Sequence, residues 1–290
     1  MSKGGSLAER IEDAILVDEV GIETGRYGPY FLKTLYRPVL RRTDAGLLPC
    51  GVKALTGIFR DGEPVAHSVF LEDVPGQDRW FISCLCRMLH LRNYYNADAE
   101  DLPLFLGRPP FAGPDLESIL DHVDAAAECL DQMGLDPMLV FWEVDDDAEG
   151  TVQLELAACL RRHRLGVAVA DFGVDDATLS RVRDLDPDVV SLNGLWFQRI
   201  AEVPIAARLL STLVDALRRE GKQVLAEGIE SPSHLHVALE VGADFVSGDL
   251  LRPARLAGTI FDTEPVSLDR FAAPDDKVVS LFSDRGGRPA

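Results

Sequence analysis

The stretch that decides the fold is Val224-Leu225-Ala226-Glu227-Gly228-Ile229-Glu230-Ser231, in which an apolar run leads into a carboxylate and a glycine. Such a short apolar run is typical of a parallel strand that is buried on both faces inside an α/β protein. Ser231 and Pro232 then supply the N-cap and the first-turn proline that begin a helix. Since the carboxyl ends of the strands form the active face of such folds, Glu227 is placed where chemistry is expected.

Two upstream segments repeat this pattern of an apolar run that ends in an acid. They are Val140-Phe141-Trp142-Glu143 and Val167-Ala168-Val169-Ala170-Asp171. Because neighbouring parallel strands end at one face, Glu143, Asp171 and Glu227 are expected to converge there. Three converging carboxylates are typical of a pocket that holds a divalent metal ion.

Apolar runs and amphipathic segments alternate regularly in the second half of the chain. Strands are predicted at 138–144, 167–171, 188–192, 223–227 and 244–247, with helices near 151–164, 175–185, 203–220 and 233–241. Upstream, strands are predicted at 30–39, 51–55 and 102–107, and helices at 78–95 and 114–133. The helix at 203–220 carries an apolar face of Ile205, Leu209, Leu213 and Leu217. This alternation predicts a (β/α)8 TIM-type barrel in a single domain, with a doubly wound open sheet as the alternative.

The predicted barrel occupies residues 31–260. Residues 1–30 are predicted to form an N-terminal helical extension, because Leu7, Ile11 and Ile15 have helical spacing. Residues 261–290 lose this periodicity, and a flexible C-terminal tail is expected there.

Composition argues against several classes of function. The net charge of −19 weighs against nucleic acid and anionic membranes, since both require a clustered basic surface. No apolar run is long enough to span a membrane, and the N-terminus lacks the apolar core of a signal peptide. The five cysteines are odd in number and scattered, which indicates reduced thiols and a cytoplasmic location.

Six segments then recur in a characteristic order. They are GVKAL at 51–55, EVDD at 143–146, ADFG at 170–173, SLN at 191–193, AEGIE at 226–230 and GADFVSG at 242–248. Taken together, residues 30–255 resemble the EAL domain, a family of bacterial phosphodiesterases that open cyclic di-GMP to its linear dinucleotide. The resemblance implies a (β/α)8-type barrel whose first strand runs antiparallel. It also implies magnesium or manganese ions, held by acids at the strand ends, that activate the attacking water.

Most of the metal ligands that the resemblance implies are replaced in this chain. Lys53 stands where the family has its name-giving glutamate, and Phe105 stands where it has a metal-binding asparagine. Ala170 replaces the first of two paired aspartates. The acids that remain are Glu143, Asp171 and Glu227.

Positions that the resemblance assigns to substrate handling have also changed. Gly57 stands where an arginine often helps to hold the dinucleotide. Ser191 replaces a lysine near the nucleophilic water, Asn193 an acid just beyond it, and Ser247 a late glutamine. Arg37 replaces an early glutamine, and Asp146 replaces a glutamate that braces a loop. The candidate ligand-binding residues are therefore Arg37, Asp146, Ser191, Asn193 and Ser247.

These replacements act against a metal site. Magnesium requires near-octahedral oxygen coordination, and Phe105 and Ala170 supply no oxygen from their side chains. Lys53 adds a positive charge where the metal would lie, and at about 4 Å each pair of unit charges interacts with about 4 kcal/mol at an effective dielectric near 20. We therefore expect no magnesium or manganese cofactor. Lys53 is predicted to act as an internal counter-ion for the three acids, the alternative being that Lys53 points to solvent.

The sequence thus predicts a catalytically inactive EAL-like domain that serves as a cytosolic regulatory protein through a protein partner. A cyclic di-GMP receptor that binds without hydrolysis is one alternative, and a residual metal-dependent phosphodiesterase is another. The resemblance also implies a homodimer, because EAL domains often pair through helices near the metal-side face.

Overall fold

The computed structural model describes residues 6–97, 102–108, 111, 113–144, 150–174 and 179–271. Its strands are β1 (Ile15–Val17), β2 (Glu23–Tyr27), β3 (Tyr30–Thr43), β4 (Gly46–Arg60), β5 (Glu63–Pro64), β6 (Leu104–Leu106), β7 (Val140–Val144), β8 (Gly166–Phe172), β9 (Val189–Leu192), β10 (Gln223–Ala226), β11 (Phe245–Val246) and β12 (Arg255–Leu256). Its α-helices are α1 (Leu7–Ala14), α2 (His67–Asp73), α3 (Arg79–Arg92), α4 (Leu116–Met133), α5 (Gly150–Arg162), α6 (Leu179–Leu185), α7 (Gly194–Ala201), α8 (Pro204–Arg219) and α9 (Pro232–Glu240).

Eight of these strands form a closed ring in the order β3-β11-β10-β9-β8-β7-β6-β4, and the pairing of β4 with β3 closes it. β3 runs antiparallel to both of its ring neighbours, and the other ring pairings are parallel. The (β/α)8-type barrel and its antiparallel first strand are therefore confirmed. The open sheet does not form, because the long β3–β4 hairpin joins the two edges that such a sheet would leave free.

One apolar layer fills the barrel interior and receives a side chain from every strand of the ring. Its members are Val39, Cys50, Phe105, Phe141, Ala168, Val189, Leu225 and Phe245. Side chains alternate along a strand, so a residue two positions beyond this layer faces the same interior, nearer the carboxyl-end mouth. Glu143, Ser191 and Glu227 each lie two positions beyond a member of the layer. This alternation positions the candidate site.

The outward faces of the strands pack against the surrounding helices. Trp142 on β7 lies in one cluster with Val123 of α4 and Leu160 of α5. Val224 on β10 lies in another cluster with Val214 of α8. The strands are thus buried on both faces, as their continuous apolar runs require. Among the described helices, we find none with the length and apolar character needed to cross a membrane.

The N-terminal segment differs from the predicted helical extension. Helix α1 begins at a capping box, in which Ser6 and Glu9 exchange side-chain and backbone hydrogen bonds, and it ends at Ala14. Residues 15–17 and 23–27 are strands instead, and β2 joins β1 to the barrel hairpin by antiparallel pairing. Ile11 of α1 packs in a cluster with Leu85 of α3, so this segment lies against the barrel domain. In the predicted tail, residues 272–290 fall outside the described residues.

Candidate functional site

Lys53 lies at the carboxyl-end mouth of the barrel, between two acids from other strands. Its Nζ atom is 2.7 Å from Oε1 of Glu143 on β7 and 2.6 Å from Oε1 of Glu227, which directly follows β10. Only 11% of the Lys53 side chain and 1% of the Glu143 side chain are exposed. The predicted internal pairing is therefore present for two of the three acids, and the solvent-pointing alternative is wrong.

The two contacts of the ammonium group differ in kind. Lys53 donates a hydrogen bond to Glu227, whereas its approach to Oε1 of Glu143 is an ion pair outside hydrogen-bond geometry. The other oxygen of Glu143, Oε2, accepts a hydrogen bond of 3.2 Å from the backbone N–H of Arg108. One carboxylate oxygen of Glu143 is thus paired with the Lys53 ammonium group, and the other accepts a backbone hydrogen bond.

Burial and charge act in opposite directions on this cluster. Burial lowers the pKa of Lys53, but the negative charges of Glu143 and Glu227 outweigh this effect, and the net pKa is raised above its usual range. Burial raises the pKa of Glu143, and the neighbouring charge of Lys53 lowers it in part. The lysine therefore keeps its positive charge at neutral pH, and this charge is what makes a buried carboxylate tolerable.

Asp171 lines the same cavity but does not contact Lys53. Its Oδ1 atom accepts a hydrogen bond of 2.6 Å from Asn193, and its Oδ2 atom lies 3.3 Å from the guanidinium of Arg108. The pairing of β8 with β9 loses its register before Phe172, and Asp171 has a φ of 54°. Such an irregularity redirects a side chain, so the predicted pairing of Lys53 with Asp171 is absent.

Three of the candidate ligand-binding residues have structural positions in the barrel. The hydroxyl of the buried Ser247 donates to the backbone carbonyl of Pro38 at 3.0 Å. The side-chain oxygen of Asn193 accepts from the backbone N–H of Trp196 at 3.0 Å and caps α7. Ser191 is fully buried, and its hydroxyl has no hydrogen-bond partner among the described residues.

The remaining candidates lie near the rim or outside the described residues. Arg37 donates a hydrogen bond of 3.0 Å to Asp249 and lines the cavity. At Gly57, where the resemblance implies an arginine, an added Cβ atom would lie 2.5 Å from Cδ1 of Leu35. The Leu35 side chain therefore covers this position and would have to move to admit a larger residue. Asp146 lies outside the described residues.

The side chains around the acids provide few oxygen atoms. Phe105 stacks on Phe141 with ring centroids 5.0 Å apart and lies in the apolar layer. Gly107 is the residue after β6 that lies beside the cluster, since a Cβ atom there would be 3.8 Å from Oε2 of Glu143 and 3.9 Å from Cε of Lys53. Sequence reasoning missed Gly107, although its position two residues beyond Phe105 could have identified it.

A cavity of about 1080 Å³ extends from Lys53 along the β3–β4 hairpin toward α2. Charged side chains line it near the barrel mouth, namely Arg37, Lys53, Arg108, Glu143 and Asp171. Most of the remaining lining is apolar, including Leu35, Leu55, Ile58, Phe59, Val65, Phe70 and Leu71, with Thr56, His67 and His90 among the polar side chains. The cavity therefore suits a ligand or segment that carries both a charged and an apolar part.

Helix α3 contributes two buried polar residues that sequence reasoning missed. The guanidinium of Arg87 lies 3.9 Å from the ring centroid of Trp142. His90 lies between the hydroxyls of Thr34 and Thr56, at 3.2 Å and 3.1 Å. Burial, with a smaller contribution from the charge of Arg87, lowers the pKa of His90 to about 3, so this imidazole is neutral at neutral pH. In the sequence, Arg87 and His90 could have been noticed only as polar residues within an otherwise apolar helix.

Comparison with known proteins gives relatives of low identity. Cyclic di-GMP phosphodiesterase PdeF of Escherichia coli (strain K12) is 23% identical over 131 residues, which cover 44% of this chain and 18% of that protein. The chain spans about a fifth of the length of the curated relatives it matches.

Solved structures share the fold. The Bacillus subtilis YkuI protein, with an EAL domain and in complex with cyclic di-GMP and calcium, matches with a TM-score of 0.64 and 20% identity, covering 80% of this chain and 56% of that chain. The FimX EAL domain from Pseudomonas aeruginosa, bound to cyclic di-GMP, matches with a TM-score of 0.64 and 16% identity, covering 80% of this chain and 93% of that chain.

The family assignment rests on the sequence match together with the barrel. The family model of the EAL domain matches residues 76–254, which is more than half of the chain. This stretch contains the ring strands β6 to β11, together with Glu143, Asp171 and Glu227 at their ends. With a closed barrel whose first strand is antiparallel and a family match across its parallel strands, this chain belongs to the EAL domain family.

Proposed function

We propose that this chain is a non-hydrolytic EAL domain in which Lys53 takes the place of a metal ion, and that it acts as a cytosolic regulatory protein by binding a protein partner. The observation that carries the proposal is the position of Nζ, within 2.7 Å of both Glu143 and Glu227. A divalent cation between these carboxylates would meet the ammonium group at close range. At about 4 Å the repulsion amounts to about 4 kcal/mol per unit charge at an effective dielectric near 20, and a dication doubles it.

The donor set around Lys53 supports the same conclusion. Magnesium and manganese ions prefer about six oxygen ligands in a regular arrangement. Phe105, Gly107 and Ala170 offer no side-chain oxygen, and Asp171 is engaged by Asn193 and Arg108. These residues do not fit a magnesium or manganese ion, and no hydrolytic step through such an ion is proposed.

Exposed apolar side chains support a protein partner. Ile205 and Leu209, one helical turn apart on α8, are 74% and 69% exposed, and Leu195 on the neighbouring helix α7 is 67% exposed. Clusters of exposed apolar side chains are typical of protein interaction surfaces. We propose a second copy of this chain as the first partner to test, by measuring the mass in solution of wild type and of Ile205→Asp.

A cyclic di-GMP receptor is the second candidate, and one observation favours it. The cavity at the barrel mouth is about 1080 Å³, and Arg37 and Arg108 line it. Guanidinium groups are well suited to phosphate oxygens. The FimX EAL domain, which shares this fold, is described as bound to cyclic di-GMP. Against this candidate, Arg37 is already paired with Asp249.

The test is a calorimetric titration of the full chain with cyclic di-GMP, with and without magnesium, beside a chromatographic assay for the linear dinucleotide. A folded protein that shows neither heat nor product supports a role through protein partners. Saturable heat without product, weakened in Arg37→Ala, identifies the receptor instead. Product that requires magnesium or manganese refutes the proposal, because Lys53 would then be compatible with a working metal site.

A further inference from the structure

Three metal-ligating side chains meet between α4 and α5, away from the barrel mouth. Cys159 lies in α5, and His163 directly follows its last residue. The backbone N–H of His163 donates to the carbonyl of Cys159 at 3.2 Å, so the helical turn continues and the two side chains, four residues apart, lie on one side. Asp124 faces them from the neighbouring helix α4.

The potential ligand atoms are close enough to share one ion. One such atom from each of Asp124, Cys159 and His163 lies within 4.8 Å of the other two. Nε2 of His163 is 2.6 Å from Oδ1 of Asp124, and Sγ of Cys159 is 4.0 Å from the same oxygen. Without a metal, the imidazole and the carboxylate form a hydrogen bond, and the thiol lies beside it.

The chemistry of this set matches zinc. Thiolate, imidazole and carboxylate are its usual protein ligands, at about 2.3, 2.0–2.1 and 2.0–2.2 Å. A tetrahedral site with such bonds separates its ligand atoms by roughly 3.3–3.8 Å. The Sγ–Oδ1 distance is therefore near the required value, and the Nε2–Oδ1 distance must open by less than about 1 Å. The Asp124 side chain is 60% exposed, so it can rotate to allow this.

The accessibility of the three side chains also suits a bound cation. Cys159 is buried and forms the floor of the cluster, while His163 is half-buried and Asp124 is open to solvent.

We infer that Asp124, Cys159 and His163 bind one zinc ion, with water as the fourth ligand, and that this ion clamps α4 onto α5. The inference is independent of Lys53, because the three ligands lie outside the cavity at the barrel mouth. The zinc site can therefore be tested independently of the proposed regulatory function.

The experiment is a titration of metal-free, reduced full-length protein with zinc chloride, in competition with a chromophoric chelator. We expect one ion per chain and at least about a tenfold loss of affinity in His163→Gln and in Asp124→Asn, since even outer-sphere changes at zinc sites cost that much. His236→Gln is the matched control, because His236 also pairs with a carboxylate four residues away, Glu240 at 3.7 Å. Its affinity for zinc should equal that of wild type.

Cobalt(II) substitution reports the thiolate separately, through its sulfur-to-metal charge-transfer absorption. This band should appear in wild type and in Cys129→Ser, whose half-buried thiol lies on α4, and should disappear in Cys159→Ser. If Cys159→Ser fails to fold, the zinc affinities of His163→Gln and Asp124→Asn still test the inference. Zinc binding only at millimolar concentration, equal affinity in His163→Gln and wild type, or a cobalt spectrum without the thiolate band would each overturn the inference.

Discussion

Lys53 and Glu227 lie 174 positions apart in the chain, yet a hydrogen bond of 2.6 Å joins them at the barrel mouth. Glu143 contacts the same ammonium group at 2.7 Å. One covalently attached cation thus links β4 to β7 and to the end of β10. Because this cation belongs to the chain, the charge balance of the two acids does not depend on a metal concentration.

Replacement of Lys53 by methionine should destabilise the fold strongly. The change leaves Glu143 buried without its counter-charge, and removal of one partner from a buried pair costs about 3–5 kcal/mol in the free energy of unfolding. The measurement is urea denaturation at pH 7. Lys222→Met is the matched control, since the Lys222 side chain is also 11% exposed but its partner Asp186 is 72% exposed. The control should lose less than about 1 kcal/mol, and equal losses in both variants would contradict a special role for Lys53.

Replacement of Lys53 by glutamate should make the stability depend on divalent cations. Three carboxylates then share the barrel mouth, and repulsion should lower the unfolding free energy in the presence of a chelator. A cation that binds only the folded state restores stability, by about 2.7 kcal/mol at a concentration one hundred times its Kd. Thermal unfolding with chelator or manganese measures this. An equal gain in wild type would show that the stabilisation does not depend on the residue at position 53 and would contradict this prediction.

Acid should destabilise the protein through two buried histidines. Burial, with a smaller contribution from the charge of Arg87, lowers the pKa of both His90 and His122 to about 3. In the unfolded chain both imidazoles take up protons below about pH 6.5. The unfolded state therefore binds more protons than the folded state between about pH 6.5 and pH 3. As the pH is lowered through this range, the free energy of unfolding decreases by up to about 1.4 kcal/mol per pH unit for each histidine.

Urea denaturation of wild type and His122→Phe between pH 7 and pH 4 tests this dependence. Phenylalanine should fit the site, because His122 lies edge-on between the rings of Trp80 and Trp142, with centroids 5.6 Å and 5.7 Å away. The variant should lose less stability than wild type as the pH falls, whereas His236→Gln, at an exposed site, should follow wild type. Parallel curves for His122→Phe and wild type would contradict the prediction.

A methyl group at position 57 should lower the stability modestly. In Gly57→Ala the new Cβ atom would lie 2.5 Å from Cδ1 of Leu35 and 3.0 Å from Cε2 of Phe59, so these side chains must move. Both side chains are half-buried and line the cavity, so they can turn toward it, and the loss should lie at the lower end of the about 1–3 kcal/mol that overpacking costs. Gly76→Ala is the control, because an added Cβ atom there meets nothing within 4 Å. Chemical denaturation of both variants measures the difference, and an unchanged Gly57→Ala would mean that Leu35 shifts freely.

Sequence periodicity placed most elements within a few residues of their observed bounds. The strand predicted at 138–144 is Val140–Val144, and the helix predicted at 114–133 is Leu116–Met133. The short helix α7 was missed, although Asn193 is a typical N-cap residue. The predicted apolar face of α8 packs inward only in its second half, since Ile205 and Leu209 are exposed whereas Leu213 and Leu217 pack in the core. Leu210, Val214 and Leu217 are the residues of α8 that are buried.

The sequence by itself determined the barrel class, the family and the presence of Lys53 on a strand, at the position where the resemblance implies a metal-binding glutamate. These properties follow from local periodicity and from the order of motifs along one chain. Only the tertiary structure decided that Lys53 contacts Glu143 and Glu227 but not Asp171, because the ring brings distant strands together while a local irregularity turns Asp171 aside. It also decided that Asp124 meets Cys159 and His163, since helix packing brings together side chains that are remote in the sequence.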